Sequence, residues 1–459
     1  MTKLVARLTD IQQRLDALAR RHRVPGATLA IDLGGSVLDF ATGVTSRETG
    51  VEVTTDTVFQ IGSNTKLFTT TLVMQLVDAG QVDLDTPVRK YVPSFELSVP
   101  GAADAITVRH LLTHTSGIQG DHFEGFGRGD DAVERYVESL RELDLVHPTG
   151  AMWSYCNTGF TLAGHLVEQV TQQSYADALR ERICAPLGLR RTTVLAEEMV
   201  RHRCAVGHVP GPDGEPVVPP TVVMDYASVP AGSRTVSTAA ELARFARMHL
   251  DGGRAPDGTV ILSEPSTQAM QQAQFERPAC PSGKGTQGLG WIMDEWSGTR
   301  MIGHGGGTVG QLSFLHALPE HDLVVVLLTN SMTGGRLWDD LGRWLVDDLA
   351  GVTIPSVPAV PDPPPTIDTA SYTGTYERLG VRLTVRVEDG ELVLDTDYTG
   401  AMAELQQGQK PPPVRIRPVD QLRFVGRMAG ADALLTFLEP DDDGRPRYLF
   451  AGRLARRVG

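Results

Sequence analysis

The segment from residue 353 to 368 constrains the fold most, because six prolines lie between positions 355 and 365. Proline fixes φ and lacks a backbone N–H, so neither a helix nor a central strand runs through such a stretch. Segments of this composition are extended, semi-rigid spacers. We therefore predict two domains, at residues 1–352 and 369–459, joined by this linker.

The chain after the linker predicts an all-β domain of about 90 residues. Stretches such as VRLTVRVED, GELVLDTD and DALLTFLE are apolar at alternate positions and are separated by turn residues. A period of two is typical of strands that bury one face. Short strands at this density predict a sandwich or a small barrel.

The domain before the linker combines helical and strand patterns. One apolar helical stripe lies within residues 4–18, and residues 25–43 predict a two-stranded hairpin. Residues 131–250 are mostly helical in pattern, and strand patterns return between residues 299 and 330. We predict an α/β fold of the α+β type, in which strands from both ends share one antiparallel sheet and a helical subdomain is inserted.

Charge excludes one class of partner. The formal net charge is −14, and no dense run of lysine and arginine occurs. Nucleic-acid-binding proteins present a basic stripe to the phosphates, so we expect no nucleic acid partner. The start of the chain lacks a signal-peptide pattern, and no apolar run of about 18 residues occurs. We therefore expect a cytoplasmic protein with no membrane partner.

No metal or organic cofactor is expected. The four cysteines form no C-x-x-C pair or zinc-ligand spacing, which favours reduced thiols. No G-K-[ST] sequence is present, so a P-loop is absent. His114, Asp121 and His122 lie near one another in the sequence, but their spacing is no recognised ligand set. We expect them in a turn near a site rim.

The stretch IGSNTKLF places Ser63 three residues before Lys66. On a helix these positions share a face, so the amine reaches the hydroxyl. Serine needs an adjacent base to act as a nucleophile, and lysine becomes that base when burial or positive potential lowers its pKa. Of five lysines, Lys66 alone has a serine three positions earlier. The plainer interpretation is a helix-capping serine beside a solvated lysine.

The stretch WSYCNTGF places Tyr155 two residues before Asn157. In an extended segment or a turn, both side chains point the same way. A phenol near a cationic lysine is expected to have a lowered pKa and to relay protons, and an amide both donates to and accepts from a substrate. The alternative is a half-buried tyrosine beside an asparagine turn.

The stretch MIGHGGGTVG contains a literal G-x-G-x-x-G at Gly305, Gly307 and Gly310. A dinucleotide site requires a strand, a glycine turn and then a helix. Here QLSFLHAL follows, which has a strand pattern. The glycines are therefore expected to give a substrate backbone room to approach a strand.

These three stretches together resemble the motifs S-x-x-K, Y-x-N and H-x-G of the penicillin-recognising serine hydrolases, which include class C β-lactamases and DD-peptidases. The matching residues are Ser63-Asn64-Thr65-Lys66, Tyr155-Cys156-Asn157 and His304-Gly305-Gly306. The resemblance covers roughly residues 5–350. It implies a class C β-lactamase-like antiparallel sheet flanked by helices, and the C-terminal domain resembles the lipocalin-like barrel of some members.

The resemblance also implies roles for the site residues. Ser63 would be the acylated nucleophile, and Lys66 and Tyr155 would share the general-base work. Asn157 would contact the substrate amide. The backbone N–H groups of Ser63 and Gly307 would form the oxyanion hole, because a developing negative oxygen needs preorganised donors.

His304 departs from the lysine that β-lactamases usually carry at this position. A fixed cation suits a β-lactam carboxylate, whereas histidine titrates near neutrality and suits proton transfer. We therefore expect a catalytic His304 and acyl transfer on esters, amides or thioesters.

Within the family, the chain resembles stand-alone penicillin-binding-protein-type thioesterases, which cyclise nonribosomal peptides head to tail. The implied substrate is a peptidyl thioester or ester with a D-configured acyl-end residue, carried by a protein of a peptide synthetase. The alternatives are a D-amino-acid-specific peptidase, amidase or esterase, and an acyl-binding sensor without turnover. Arg234, and Arg445 or Arg447 on a barrel loop, are candidates for holding a peptide carbonyl or carboxylate.

Overall fold

The structure is a computed structural model. It gives the backbone of residues 2–6 and describes fully residues 7–127, 129, 131–278, 280, 281, 283, 285–406, 408–428 and 431–458.

The helices, in chain order, are α1 (Thr2–Arg21), α2 (Thr65–Asp78), α3 (Ala102–Ala105), α4 (Val108–Leu112), α5 (Ala132–Ser139), α6 (Asn157–Thr171), α7 (Tyr175–Leu179), α8 (Ala185–Leu187), α9 (Ala196–Met199), α10 (Ala239–Leu250), α11 (Glu264–Met270), α12 (Gly334–Ala350), α13 (Thr369–Tyr372) and α14 (Gly400–Leu405). In the part of the chain that is described, no helix is both long and apolar enough to cross a bilayer.

The strands are β1 (Gly26–Leu33), β2 (Ser36–Gly43), β3 (Phe59–Gln60), β4 (Val209–Pro210), β5 (Pro216–Val217), β6 (Val236–Ser237), β7 (Phe275–Glu276), β8 (Thr286–Gln287), β9 (Ile292–Trp296), β10 (Thr299–Thr308), β11 (Gln311–Leu318), β12 (Leu323–Thr329), β13 (Gly374–Arg378), β14 (Val381–Glu388), β15 (Glu391–Tyr398), β16 (Val414–Pro418), β17 (Arg423–Met428), β18 (Ala431–Pro440), β19 (Pro446–Phe450) and β20 (Leu454–Arg457).

One antiparallel sheet organises the first domain, in the strand order β2-β1-β12-β11-β10-β9-β8-β7. Strands from the two ends of the domain meet at its centre, where Ala27 pairs with Thr329 and Leu33 pairs with Leu323. This confirms the predicted α+β fold class and the sheet shared between distant segments. Helices cover both faces, and those between β3 and β7 supply the helical region.

Successive side chains of β1 and β12 point to opposite faces of the sheet and so belong to two separate cores. Leu29 and Leu327 face the layer formed by α1 and α12. Ala30, Val326 and the helices α2, α6 and α10 form the larger core on the other face. Because successive side chains of a strand point to opposite faces, an almost wholly apolar strand is the expected pattern for a sheet buried on both sides.

The C-terminal strands β13 to β20 form a closed eight-stranded barrel. Closure is made by β13 and β20, where Tyr376 pairs with Arg457. Its centre holds aromatic side chains such as Phe424 and Phe437. Between residues 353 and 368, all of which are described, no helix or strand forms. The domain limits at 352 and 369 remain predictions.

The barrel docks on the first domain through both apolar and backbone contacts. Trp153 packs against Phe450, with ring centroids 5.8 Å apart. The backbone N–H of Leu454 donates to Ser154 Oγ at 3.1 Å, and that of Leu379 donates to Gln119 Oε1 at 3.0 Å. Two turns of the barrel are therefore fixed, one beside the segment that precedes α6 and the other beside the loop between α4 and α5.

A buried ion cluster should contribute strongly to the stability of the first domain. Nη2 of Arg247, on α10, donates to Asp32 Oδ1 of β1 at 2.5 Å, and the same guanidinium also contacts Asp322. The side chain of Arg247 is 7% exposed and that of Asp32 is 2% exposed. Asp32→Asn leaves the buried guanidinium undercompensated, and we expect a loss of about 3 kcal/mol in the free energy of unfolding.

Urea unfolding followed by tryptophan fluorescence measures this loss, because all five tryptophans precede the linker. The matched control is Asp251→Asn. The Asp251 side chain is 50% exposed and lies 3.7 Å from Arg247, so we expect this variant to lose less than about 1 kcal/mol in the free energy of unfolding. Equal losses in the two variants would contradict the importance of burial.

Candidate active site

Ser63 lies in a tight turn immediately before α2. Gly62 adopts a φ of +51°, which turns the chain so that half-buried Ser63 precedes the helix. Lys66 follows in the first helical turn, and its side chain is fully buried. The predicted shared face is present, since Lys66 Nζ lies 3.1 Å from Ser63 Oγ. The plainer interpretation of a solvated lysine is therefore wrong.

The Lys66 amine has three neighbouring oxygen atoms. Besides Ser63 Oγ, it lies 2.7 Å from Asn157 Oδ1 and 2.6 Å from the carbonyl oxygen of Ala231. Burial, and to a lesser degree the charge of Arg453, lower the pKa of Lys66 well below its usual value. A neutral amine has two N–H bonds, which the amide and carbonyl oxygens accept. Its lone pair then faces the Ser63 hydroxyl, which is the arrangement that a general base requires.

Tyr155 contacts the same groups. Its hydroxyl is hydrogen-bonded to Ser63, and its ring centroid lies 4.9 Å from Lys66 Nζ. The expectation that the lysine lowers the pKa of Tyr155 is wrong. Burial raises that pKa, and the opposing effects of the Ser63 hydrogen bond and of Arg453 are smaller. The phenol is therefore neutral and can donate its proton.

Asn157 connects Lys66 to a buried carboxylate. It begins α6, where its Oδ1 accepts from Lys66. Its Nδ2 donates to Asp121 Oδ1 at 2.9 Å. The amide is thus oriented by one partner on each side, so its oxygen faces the amine. The spacing of Tyr155 and Asn157 brings both side chains to Ser63 and Lys66, as the prediction required.

The glycine-rich end of β10 forms an open strand edge beside Ser63. Among the described pairings, β9 accompanies β10 only from Thr299 to Gly303, whereas β11 continues to Thr308. A Cβ atom added at Gly306 would lie 2.0 Å from the carbonyl oxygen of Ile61, and a Cβ atom added at Gly62 would lie 2.6 Å from the backbone nitrogen of Gly307. Only glycine allows these two backbones to approach so closely.

His304 is buried at the start of this glycine run, with 3% exposure. Its Nδ1 lies 2.5 Å from the carbonyl oxygen of Gly305, which fixes the proton on Nδ1. Burial and the neighbouring Lys66 lower the pKa of His304 to about 3. The expected titration near neutrality is therefore wrong: the imidazole is neutral throughout the physiological range.

Two predicted arginines lie away from the catalytic groups. Arg234 donates to the carbonyl oxygen of Met224 at 2.6 Å and stacks near Tyr226. Arg447 is exposed on β19, because its neighbours Pro446 and Tyr448 point to the buried face of that strand. The described residues that line the cleft beside Ser63 include neither arginine.

Two other barrel arginines reach the site instead. Arg453 Nη2 lies 2.8 Å from Asp121 Oδ1, and Arg378 Nη1 lies 2.8 Å from Asp121 Oδ2. No local motif signals these contacts, since they depend on how the barrel docks. Within the described part of the chain, no group of three histidine, cysteine, aspartate or glutamate side chains is placed to hold a metal ion.

The cleft beside Ser63 lies between the two domains and has a volume of about 1310 Å³. The first domain contributes Ser63, Tyr155 and Gly307, and the barrel contributes Met402 and Arg453. The lining combines reactive polar groups at one end with apolar and methionine side chains elsewhere. A serine beside a buried amine of lowered pKa, a phenol and an open strand edge can form and break an acyl ester.

Comparison with known proteins agrees with this site. The family described as Beta-lactamase matches residues 11–349, and the chain belongs to that family of β-lactamase-like and penicillin-binding-protein-like serine hydrolases. Penicillin-binding protein 4 of Amycolatopsis lactamdurans is 44% identical over 372 residues, which are 80% of this chain and 97% of that protein. The resemblance drawn from the three motifs is confirmed.

Solved structures are similar over different lengths. The crystal structure of SurE is 26% identical, covers 99% of both chains and has a TM-score of 0.79; SurE with D-Leu has a TM-score of 0.76, covering 99% of this chain and 100% of that chain. The D-amino acid amidase from Ochrobactrum anthropi SV3, complexed with L-phenylalanine amide, is 26% identical with a TM-score of 0.60, and covers 74% of this chain and 99% of that chain.

Gly232→Ala should disable the site through the backbone. Gly232 has a φ of +108°, and a Cβ there would lie 2.1 Å from the carbonyl oxygen of Gly62 and 2.9 Å from the nitrogen of Ser63. The Ser63 turn must move, so we expect acylation to slow about 100-fold, as misplacement by about 1 Å does elsewhere. The rate of Ser63 acylation by a p-nitrophenyl ester, followed by rapid mixing, measures this loss. Gly390→Ala, at a φ of +80° with open space around it, controls for backbone strain alone and should acylate normally.

His304→Lys should lower turnover on esters and thioesters at least about tenfold, because a longer amine at this 3% exposed position must be desolvated and replaces the imidazole whose ring centroid lies 6.1 Å from that of Tyr155. The measurement is kcat/KM on a peptidyl thioester. His304→Gln keeps a neutral polar side chain and should retain more activity than the lysine variant. Unchanged rates in both variants would show that the histidine is incidental.

Proposed function

We propose that the protein is a serine acyltransferase that off-loads a nonribosomal peptide and cyclises it head to tail. The observation that carries the proposal is the contact of Ser63 Oγ with the buried amine of Lys66 at 3.1 Å, inside a cleft shared by two domains. The proposed substrate is a peptidyl thioester or ester, delivered by a carrier protein of a peptide synthetase.

In the acylation step, Ser63 Oγ attacks the carbonyl carbon of the thioester while the Lys66 amine takes the hydroxyl proton. The backbone N–H groups of Ser63 and Gly307 are the proposed donors to the negative oxygen of the tetrahedral intermediate. Collapse of that intermediate breaks the C–S bond, and Tyr155 or the protonated Lys66 returns a proton to the thiolate. The peptide is then held as an ester on Ser63.

In the release step, the peptide's own N-terminal amine attacks the ester, and the Lys66 amine takes the proton that the attacking nitrogen loses. Lys66 returns this proton to Ser63 Oγ as the ester C–O bond breaks, and the ring amide forms. Water competes for the same ester, so the outcome depends on how well it is excluded. The cleft of about 1310 Å³ exceeds the usual range of about 300–1,000 Å³ for small-ligand pockets. That volume supports a peptide folded back on itself, and barrel side chains such as Met402 and Met428 cover part of it.

A D-configured residue at the acyl end is part of the proposal. Two similar structures are named for D-amino acids, SurE with D-Leu and the D-amino acid amidase. The open edge of β10 favours a substrate backbone that lies alongside Gly305 to Gly307 as an added strand. In this arrangement the configuration at the acyl-end Cα decides which way its side chain points.

The second candidate is a D-amino-acid-specific peptidase, amidase or esterase. The similarity to the D-amino acid amidase over 74% of this chain supports it. The same acyl-enzyme forms, and water releases the acid. The third candidate, an acyl-binding sensor, requires an ester on Ser63 that is not released. The Lys66 amine lies 3.1 Å from Ser63 Oγ and has a lowered pKa, so a base for release is present, which disfavours the sensor.

The test offers the enzyme peptidyl thioesters ending in a D- or an L-residue, with mass spectrometry separating the cyclic peptide from the linear acid. We expect the cyclic peptide from the D-series. Linear acid from every substrate would contradict cyclisation and support the hydrolase, and stoichiometric acylation without product would support the sensor.

Ser63→Ala is the control for the nucleophile. It removes one half-buried hydroxyl from a turn held by its backbone, so the fold should persist while turnover falls to the uncatalysed rate. Circular dichroism checks the fold. Full activity in this variant would contradict the assignment of Ser63 and, with it, both enzymatic candidates.

A further inference from the structure

Asp121 joins the two domains at the reacting end of the cleft. Its side chain is 1% exposed, yet it accepts from three others: Asn157 Nδ2 at 2.9 Å, Arg453 Nη2 at 2.8 Å and Arg378 Nη1 at 2.8 Å. Arg453 Nε also lies 2.6 Å from Asp121 Oδ2. One carboxylate therefore faces two guanidinium groups, and the cluster carries a net positive charge.

Two residues, Asn157 and Lys66, separate this ion cluster from the proposed nucleophile. Asn157 bridges Asp121 and the Lys66 amine, which in turn contacts Ser63 Oγ. A second connection passes through Tyr155, because the Arg453 guanidinium carbon lies 4.9 Å from the centroid of its ring. Of the two groups that can exchange a proton with Ser63, Tyr155 therefore contacts the barrel directly, and Lys66 is connected to Arg453 through Asn157 and Asp121.

The barrel holds both arginines in turns that are anchored to the first domain. Arg453 follows Gly452, which has a φ of +77°, in the turn between β19 and β20. The next residue, Leu454, is bonded through its backbone to Ser154. Arg378 ends β13, and the next residue, Leu379, is bonded through its backbone to Gln119. Such anchoring limits the positions that either guanidinium can take.

We infer that Arg453, held on Asp121, is a positioning residue through which the barrel orients Asn157 and Lys66 for proton transfer from Ser63. The inference deepens the proposed function and rests on Ser63 being the nucleophile. It gives the C-terminal domain a part in the acylation step, in addition to covering the cleft.

The charge environment of Lys66 gives the inference a signature. The titratable or charged side chains that act on its amine are Tyr155, Cys156, His114, His304, Asp121 and Arg453. Arg453 lowers the pKa of Lys66, and Asp121 raises it. Acylation needs the neutral amine, so its rate rises with pH through the Lys66 pKa. This rise is the acid limb of the pH–rate profile. Removing Arg453 moves the acid limb to higher pH, and neutralising Asp121 moves it to lower pH.

The experiment measures the rate of Ser63 acylation by a p-nitrophenyl ester in rapid mixing, from about pH 5 to about pH 9, with the full chain. For Arg453→Ala we expect the acylation rate at neutral pH to fall about tenfold to 100-fold, and the acid limb to lie at higher pH than in the wild type. Arg453→Lys keeps a cation but loses the planar guanidinium, so the acid limb of its pH–rate profile should stay near that of the wild type. Arg456→Ala, at an exposed position of β20, is the matched control, for which we expect no change in the acylation rate or in the acid limb.

Two further results decide the inference. A lower melting temperature in Arg453→Ala with an unmoved acid limb would overturn it, since a docking contact alone predicts that outcome. Asp121→Asn should shift the limb in the opposite direction; if that variant does not fold, the Arg453 pair of variants decides. Acylation that persists in Ser63→Ala would instead refute the proposed function, so the two failures are distinguishable.

Discussion

The burial of one lysine amine is the condition on which the rest of the site depends. Lys66 is removed from water in the first turn of α2, and its amine is shared among Ser63, Asn157 and the Ala231 carbonyl. Burial lowers the pKa of this amine well below its usual value, and once the amine is neutral the two fixed acceptors leave its lone pair for the serine proton. A lysine in water at this spacing would be a cation and no base.

Close backbone approach is the second requirement, and it complements the first. The turn at Gly62, the loop at Gly232 and the edge of β10 meet at distances that exclude a Cβ on any of them. This places the backbone nitrogens of Ser63 and Gly307 at one end of the cleft, while Lys66 enters from the helix. The base and the proposed oxyanion donors thus come from different segments and meet only through these glycines.

The barrel is chemically connected to this centre. Its arginines neutralise a carboxylate that would otherwise be a buried, uncompensated charge, and that carboxylate orients Asn157. Breaking such a pair from one side is strongly unfavourable. The two domains are therefore coupled through electrostatics as well as through the apolar contact of Trp153 with Phe450.

Local patterns in the sequence were sufficient to predict the α+β class, the β-rich C-terminal domain and the meeting of Ser63 with Lys66, because periodicity and helical spacing are local properties. The pKa directions of Tyr155 and His304 were not predictable, since burial is decided by segments far apart in the chain. The arginines that contact Asp121 were not predictable for the same reason: strand alternation turns Arg447 outward, while barrel docking brings Arg378 and Arg453 to Asp121. The sequence by itself determined which chemical groups are present and which neighbours share a face. Only the tertiary structure decided their charge states and partners, because desolvation and long-range ion pairing depend on the packed chain.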